Sequence, residues 1–491
     1  MGSKEEDAPN RLSNSIEEEM PRPSLKRSAK SLATLQLPKQ RPVLRTAASS
    51  VSLYSHFAGE RFESQETKLP SAASLGAQDM QDVSQRDTPT ATVGKAMFVF
   101  LKAFIGSGVL FLPKAFDNGG LALSILLMIA VAAICIFAFL RLFRTQQILG
   151  GSYGDVGGKC YGSYVRYAVL FFIVMSQLGF ACSYLAFISG NIGSVASVLS
   201  RCTVHIDQKY YIWIPLAIVI PLALIRHIAR LSFTAVIADV FILFGLLSVV
   251  YFTSKQLHDH GIGPGIQAFN PFSFGMMIAT FSFEGIGLVI PIAESMEKPG
   301  KFPMVVALGT TIVCIIYVLM GSVPYLAYGS KIQSAVVYNL PPQHGLTLAV
   351  QILYSVAILL SIPLQLFPAL KILEAAIFPA NKSGRDNIHV KWLKNIHRVL
   401  ISCFCALVAF SIGANNLDKF VSLVGSVACG PLCYIFPGMF HFKVASSLKD
   451  KIFDVALTVF GVAVMIYTTY ITIFSFTQPP SVDGQIQPLC P

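Results

Sequence analysis

The chain has 491 residues, of which 54% are hydrophobic and only 13% are charged, and its mean hydropathy is +0.61. This composition excludes an ordinary water-soluble domain and predicts a membrane protein with many spans. The net charge of +11 arises entirely after residue 90, because the first 90 residues contain 12 basic and 12 acidic side chains. Such an excess is the usual topology signal of a polytopic protein, so we expect no nucleic-acid partner.

Residues 1–90 differ from the rest of the chain. They are rich in Ser, Pro, Gln and charged residues and contain no long apolar stretch. This composition predicts a disordered cytosolic tail, and the absence of an apolar core near the start argues against a signal peptide. Ser24 and Ser28 lie in a basic patch of this tail. They are candidate sites for protein kinases, although most such patches are simply solvated.

The rest of the chain contains repeated apolar stretches. Each is long enough to cross the hydrocarbon core of a bilayer, which is about 30 Å thick. The stretches are longer than the short alternating segments of a β-barrel, so they predict an all-α membrane protein. We expect eleven transmembrane helices, at roughly 93–117, 119–142, 165–195, 211–226, 231–253, 273–296, 304–328, 344–378, 395–415, 418–442 and 452–476.

Charge predicts the orientation of these spans. With the N-terminus in the cytosol, sixteen Lys and Arg residues fall on cytosolic loops and helix ends, against five on the opposite side. Basic residues concentrate on the cytosolic side of membrane proteins. An odd number of spans then places the C-terminal tail, residues 477–491, on the non-cytosolic side.

Two similar stretches occur in spans that have opposite directions. FIGSGVLFLP at 104–113 lies in the first predicted span, and FEGIGLVIP at 283–291 lies in the sixth. Matched interruptions in two inverted halves are typical of one secondary-transporter architecture and mark a binding site near the membrane midplane. We therefore expect a 5+5 inverted repeat, with residues 91–253 and 273–442 as its halves and 452–476 as an extra helix.

The glycines explain why these spans would be interrupted. Glycine leaves helical geometry without Cβ strain, and a ligand can satisfy the freed backbone groups. Free N–H groups suit a carboxylate and free carbonyls suit an ammonium, a combination found in α-amino acids. The alternative is close helix packing at small residues. The predicted substrate-binding residues at the two interruptions are Ile105, Gly106, Ser107, Gly108, Phe283, Glu284, Gly285 and Gly287.

Other polar residues within spans are further candidates. Glu284 and Asp239 are acids at membrane depth, where ionisable groups are costly and are functional by default, so we assign them to proton coupling. For Asp239 a capping or packing role is an alternative. Lys102 could pair with Glu284, extend toward the cytosol or stand beside the site as a fixed charge. Tyr184 and Ser355, in the third and eighth spans, are expected to line the substrate site.

No catalytic constellation or metal-ligand cluster is evident in the sequence, so we predict a transporter and not an enzyme. The loop GGSYGDVGGKCYG at 150–162 resembles a phosphate-binding loop, but Tyr153 and Cys160 occupy two of its required positions. Transport would therefore be secondary, with no cofactor, coupled to H⁺ or to Na⁺. The expected partners are the amino-acid substrate, membrane lipid and kinases acting on the tail.

Three stretches carry a resemblance to a known family: IGSGVLFLPKAFDNGG at 105–120, SFEGIGLVIPIAESM at 282–296 and LSFTAVIADVFILFG at 231–245. They resemble the amino acid/auxin permease family, and within it the branch of fungal vacuolar and animal proton-coupled amino-acid transporters. The resemblance implies eleven helices with the leucine-transporter-like inverted repeat, and transport of amino acids, often small neutral ones, coupled to protons. It also implies a multi-pass vacuolar or lysosomal location and export to the cytosol. It also supports Glu284 as a functional acid.

Two features depart from the animal plasma-membrane relatives. Those relatives carry a histidine shortly before the first glycine pair, whereas this chain has FVFLKAF there. They also join two non-cytosolic loops by a disulfide, whereas the loop at 329–345 of this chain has no cysteine. Both departures favour the vacuolar interpretation. An amino-acid sensor that signals through its tail, and a sodium-coupled plasma-membrane importer, stay open as alternatives.

Overall fold

The computed structural model describes residues 91–201, 203, 206–225, 228–270, 289–378 and 388–478. The predicted tail at 1–90, the second glycine motif with Phe283, Glu284, Gly285 and Gly287, and most of the C-terminal tail lie outside these residues. The described part is helical, and its one β-type pairing is an isolated parallel bridge between Ala91 and Met296. The all-α prediction is therefore confirmed.

The helices follow one another in chain order. The first half of the described chain contains α1 (Val93–Phe104), α2 (Leu112–Gly119), α3 (Leu121–Leu149), α4 (Tyr153–Tyr161), α5 (Ser163–Leu199), α6 (Trp213–Ala223) and α7 (Ile228–His260). The second half contains α8 (Val289–Ser295), α9 (Phe302–Tyr328), α10 (Gly345–Ile377), α11 (Ile388–Ile412), α12 (Leu417–Val424), α13 (Phe436–Val444) and α14 (Leu448–Thr477).

Eight helical segments of the described residues are long and apolar enough to cross a membrane, or nine if the bent pair formed by the first predicted span counts as one. The predicted span at 211–226 is a shorter apolar helix, and most of the one at 273–296 lies outside the described ranges. The count of eleven therefore stays a prediction.

Two local features differ from the sequence interpretation. The stretch predicted as a loop at 150–162 contains α4, which begins with a capping box formed by Ser152 and Asp155. The tenth predicted span is not a regular α-helix, because π-helical turns at Gly425–Cys429 and Pro431–Ile435 separate α12 from α13. π-turns leave backbone carbonyls without their usual partner, and the hydroxyl of Tyr153 donates to the carbonyl of Leu432 at 2.5 Å.

The helix α9 packs along both halves of the first span. A Cβ placed on Gly309 would lie 2.5 Å from Cδ1 of Phe100 in α1, and one on Gly321 would overlap the ring of Phe116 in α2. Both phenylalanines are fully buried. Glycine at these two positions lets α9 approach closely enough to hold the two half-helices on either side of their interruption.

Candidate functional site

The first predicted span is interrupted where the sequence indicates. The helix α1 ends at Phe104, and Ile105 (φ −88°, ψ 84°) and Gly106 (φ −127°, ψ −150°) have non-helical backbone. A short 3₁₀-helix then runs from Ser107 to Phe111 and leads into α2, with a bend of 45° across the interruption. The prediction that this span is broken at its glycine pair is confirmed.

Part of the freed backbone is satisfied within the protein. The N–H of Ile105 donates to the carbonyl of Leu101 at 2.8 Å, which closes the last turn of α1. The hydroxyl of Tyr317, in α9, donates to the carbonyl of Phe104 at 2.5 Å. The same carbonyl also accepts from the N–H of Gly106 at 3.2 Å. The first N–H groups of the following 3₁₀-helix have no partner within that helix, as at any helix start.

The glycines of the interruption face open space. A Cβ built on Gly106 or on Gly108 would meet no atom of the described residues within 4 Å. Gly309 shows the opposite case, because a side chain there would overlap Phe100 of the neighbouring helix α1. Among the described residues, therefore, no helix packs against Gly106 or Gly108. The substrate-binding roles of Ile105, Gly106, Ser107 and Gly108 stay predictions.

An ion pair lies one turn before the interruption. The ammonium of Lys102, in α1, is 2.5 Å from Oδ2 of Asp239, in α7, and both side chains are partly exposed. The sequence does not predict this pair, and it suggests Glu284 as a possible partner of Lys102. In the structure the pair joins the first half-helix, α1, to α7.

The remaining candidates lie on two helices that pack against each other, α5 and α10. Tyr184 is buried in α5. Ser355 is buried in α10, and its hydroxyl donates to the carbonyl of Gln351 in the same helix at 2.6 Å. The oxygen of Ser355 can still accept a hydrogen bond. The substrate-binding roles of both residues stay predictions.

An aromatic cluster connects the interruption to these two helices. The ring of Phe111, at the end of the 3₁₀-helix, contacts Phe187 of α5 edge-on, with centroids 6.1 Å apart. Phe187 in turn contacts Tyr338 at 6.0 Å and Tyr354 of α10 at 5.9 Å. Phe111, Phe187, Tyr338 and Tyr317 were not predicted from the sequence as part of the site. Aromatic residues are frequent in every span, so no local pattern distinguishes these.

The family comparison covers most of the chain. The family described as "Transmembrane amino acid transporter protein" matches residues 89–474. The chain is 42% identical over 450 residues to "Vacuolar amino acid transporter 3" of Saccharomyces cerevisiae, with 87% of this chain and 64% of that protein covered. It is 40% identical over 387 residues to the protein of the same description in Schizosaccharomyces pombe, with coverages of 78% and 58%. The chain therefore spans about three fifths of the length of these relatives.

Solved structures show the same fold class. The helices superpose on Mhp1, a nucleobase-cation-symport-1 family transporter in a closed conformation, with a TM-score of 0.53. The alignment covers 79% of this chain and 92% of that one at 14% identity, so it concerns the fold alone. A transporter fold and relatives that are transporters agree with the prediction that the protein is not an enzyme. The chain belongs to the transmembrane amino acid transporter protein family.

Proposed function

We propose that the protein is a secondary transporter that moves amino acids across the vacuolar membrane. The observation that carries this proposal is the interrupted first span, where Ile105 and Gly106 leave helical geometry and a Cβ on Gly106 or Gly108 would meet no described atom within 4 Å. Backbone dipoles of this kind attract a carboxylate and an ammonium, the two groups that every α-amino acid presents. The vacuolar location rests on the names of the yeast relatives.

We further propose that protons drive the transport, with export from the acidic lumen to the cytosol. Asp239 is the described acid in contact with the first half-helix, through its 2.5 Å ion pair with Lys102. As a carboxylate it holds α1 against α7. When it accepts a proton, the attraction is lost and α1 is freer to move away from α7. Glu284, within the second glycine motif, is the other acid we assign to proton coupling, and it also lies within reach of the substrate ammonium in this proposal.

Purified protein in liposomes tests the proposal. The measurement is the flux of labelled neutral amino acids under an imposed pH gradient, with sodium present or replaced by choline. Flux that follows the pH gradient in choline supports the proposal. Flux that requires sodium would indicate the importer alternative, and no flux of any amino acid would refute transport.

A second comparison addresses the sensor alternative. A variant lacking residues 1–85 keeps the described helical unit intact. We expect this variant to transport amino acids as the full chain does, because the proposed site lies within the helices. A protein that binds amino acids without moving them, with or without the tail, would favour the sensor.

A further inference from the structure

Four ionisable side chains form a network where α3, α13 and α14 meet. Arg141 lies near the end of α3, His441 in the last turn of α13, and Asp450 and Asp454 near the start of α14. Arg141, His441 and Asp454 are buried, whereas the side chain of Asp450 is 41% exposed. The charge pattern of the sequence predicts that these helix ends face the cytosol. Neither the substrate site nor the proposed proton coupling uses this network.

His441 and Asp454 form the closest contact of the network. Nδ1 of His441 lies 2.6 Å from Oδ2 of Asp454, and because a carboxylate only accepts, Nδ1 carries a hydrogen and donates it. Nη1 of Arg141 lies 3.2 and 3.3 Å from the two ring nitrogens of His441. Such nearly equal distances place Nη1 over the ring, because in the ring plane they would press it against Cε1. The in-plane lone pair of Nε2 is therefore available to a proton.

The guanidinium of Arg141 is directed to Asp450 more than to Asp454. Its Nη1 lies 2.8 Å from Oδ1 of Asp450, while its Nε is 3.5 Å from Oδ1 of Asp454. That oxygen of Asp454 has no hydrogen-bond donor among the described residues. A buried carboxylate without a close counter-charge is costly. Since His441 is the nearest partner of Asp454, a positively charged imidazole would supply the missing charge.

The surroundings act on the charge of His441 in both directions. The last turn of α13 places the ring at the negative end of the helix dipole, which favours a cation, whereas Arg141 over the ring opposes one. Lys443 and Lys451 lie over aromatic rings, and Lys159 donates to the carbonyl of Leu149. The other charged side chains at this end of α3, α4, α13 and α14 are Arg144, Asp155 and Lys449. Asp454 is the carboxylate in direct contact with the ring.

We propose that His441 and Asp454 form a proton-binding site at the predicted cytosolic end of the bundle. A proton from the adjacent water forms an N–H bond at Nε2, and no other covalent bond changes. The resulting imidazolium attracts Asp454 and repels Arg141. Protonation therefore tightens the contact of α13 with α14 and loosens that of α13 with α3. The site itself is independent of transport, whereas an effect of cytosolic pH on transport rests on the proposed function.

Hydrogen exchange at the start of α14 tests the site. Histidine commonly changes its charge between about pH 5 and about pH 8, so the protection of the amides of residues 451–458 is measured at about pH 6 and about pH 7.5. In the unmodified protein we expect about threefold higher protection at the lower pH, since the tightened contact opens less often. His441→Asn keeps a donor to Asp454 in place of Nδ1 but cannot take up the proton. Its protection should be the same at both pH values.

Two further variants complete this comparison. Asp454→Asn should also lose the response to pH, because a neutral amide gives the imidazolium no counter-charge. His389→Asn is the matched control, since His389 is an exposed histidine at the start of α11, and it should keep the response. A response in His441→Asn and Asp454→Asn as large as in the unmodified protein would refute the site, as would no response in the unmodified protein.

Transport in liposomes tests the link to function. The pH on the cytosolic side is varied while the pH on the opposite side is held constant. Flux through His441→Asn should depend about threefold less on the cytosolic pH, because the titrating imidazole is gone. An unchanged flux profile in a variant that has lost the exchange response would refute the link. If the unmodified protein transports no amino acid, the proposed function is wrong, while hydrogen exchange still decides the site.

Discussion

The ammonium of Lys102 contacts the carboxylate of Asp239 at 2.5 Å and so joins α1, the first half of the interrupted span, to α7. Both side chains are partly exposed, at 23% and 33%. Both residues belong to predicted spans, where an unpaired charge is costly, so the pairing matters more than for an ion pair in water. We expect the pair to hold α1 against α7 one turn before the interruption.

We expect Asp239→Asn to uncouple transport from the pH gradient. The amide cannot take up a proton in the relevant range, so α1 is no longer released by protonation. Downhill exchange of amino acids should continue, while accumulation driven by the pH gradient should fall at least tenfold. Both are measured in liposomes at several imposed gradients.

The control for this prediction is Asp117→Asn. Asp117 forms an ion pair with Lys114 at 2.8 Å, but both residues belong to α2, so the pair joins no other helix. This variant should keep its response to the pH gradient. Gradient-driven accumulation by Asp239→Asn at the level of the unmodified protein would remove Asp239 from the coupling mechanism.

Glycine substitutions separate binding from folding. Gly106→Val places a side chain in space that is open in the described structure, with a φ of −127° that any residue adopts. We expect an unchanged Tm and loss of stabilisation by amino acids. Gly309→Ala should lower the Tm and keep the stabilisation by amino acids, since its Cβ would lie 2.5 Å from the ring of Phe100. Overpacking of this kind typically costs about 1–3 kcal/mol.

A result in which Gly106→Val unfolds the protein would show that the space is needed for packing. Retained amino-acid binding in a folded Gly106→Val would move the substrate elsewhere. Melting curves with and without amino acids distinguish these outcomes.

Tyr317 supports the interruption through its hydrogen bond to the carbonyl of Phe104. Tyr317→Phe removes this donor, while the carbonyl of Phe104 still accepts from the N–H of Gly106 at 3.2 Å. The expected cost is therefore that of one hydrogen bond, about 0.5–1.5 kcal/mol. We expect faster amide hydrogen exchange at residues 105–109 and a lower transport rate. Tyr325→Phe is the control, because Tyr325 also lies in α9 but its hydroxyl accepts from the N–H of Gln267 at 3.2 Å, away from the interruption. Equal exchange at 105–109 in both variants would contradict the supporting role.

The sequence predicted those features that a bilayer imposes locally. Apolar length predicted the eight long apolar helical segments of the described residues, because a helix must cross a fixed hydrocarbon thickness. The glycine pair located the interruption of the first span, because glycine is a weak helix former. The family resemblance was also correct.

Features that depend on tertiary contacts were not predictable. Lys102 and Asp239 are distant in sequence, and no pattern indicates that they pair. The helix α4 was taken for a loop because it is rich in glycine, a poor helix former. Packing explains that glycine: a Cβ on Gly157 would lie 2.8 Å from Cζ of Phe440 in α13. Tertiary contact therefore requires the residue that the local propensity disfavours.

A buried ion pair fixes three helices at one end of the bundle. Nε of Arg398, in α11, donates to Oε1 of Glu374, in α10, at 2.6 Å, and Nη1 donates to the carbonyl of Ala223 at 2.9 Å, at the end of α6. The guanidinium is 1% exposed. A cation at a helix C-terminus is favourable, and here it also satisfies a carbonyl that the helix leaves free.

We expect Arg398→Met to destabilise the protein strongly, by about 3–5 kcal/mol, because Glu374 is left as an unpaired buried charge. The double variant Arg398→Met, Glu374→Met should recover much of this loss, since no charge then remains to be desolvated. The stability of Glu374→Met alone should lie between those of Arg398→Met and the double variant, because Arg398 keeps its hydrogen bond to the carbonyl of Ala223. Thermal unfolding in detergent measures all three. A double variant that is less stable than Arg398→Met would show that the pair itself, and not the unpaired carboxylate, determines the stability of this end of the bundle.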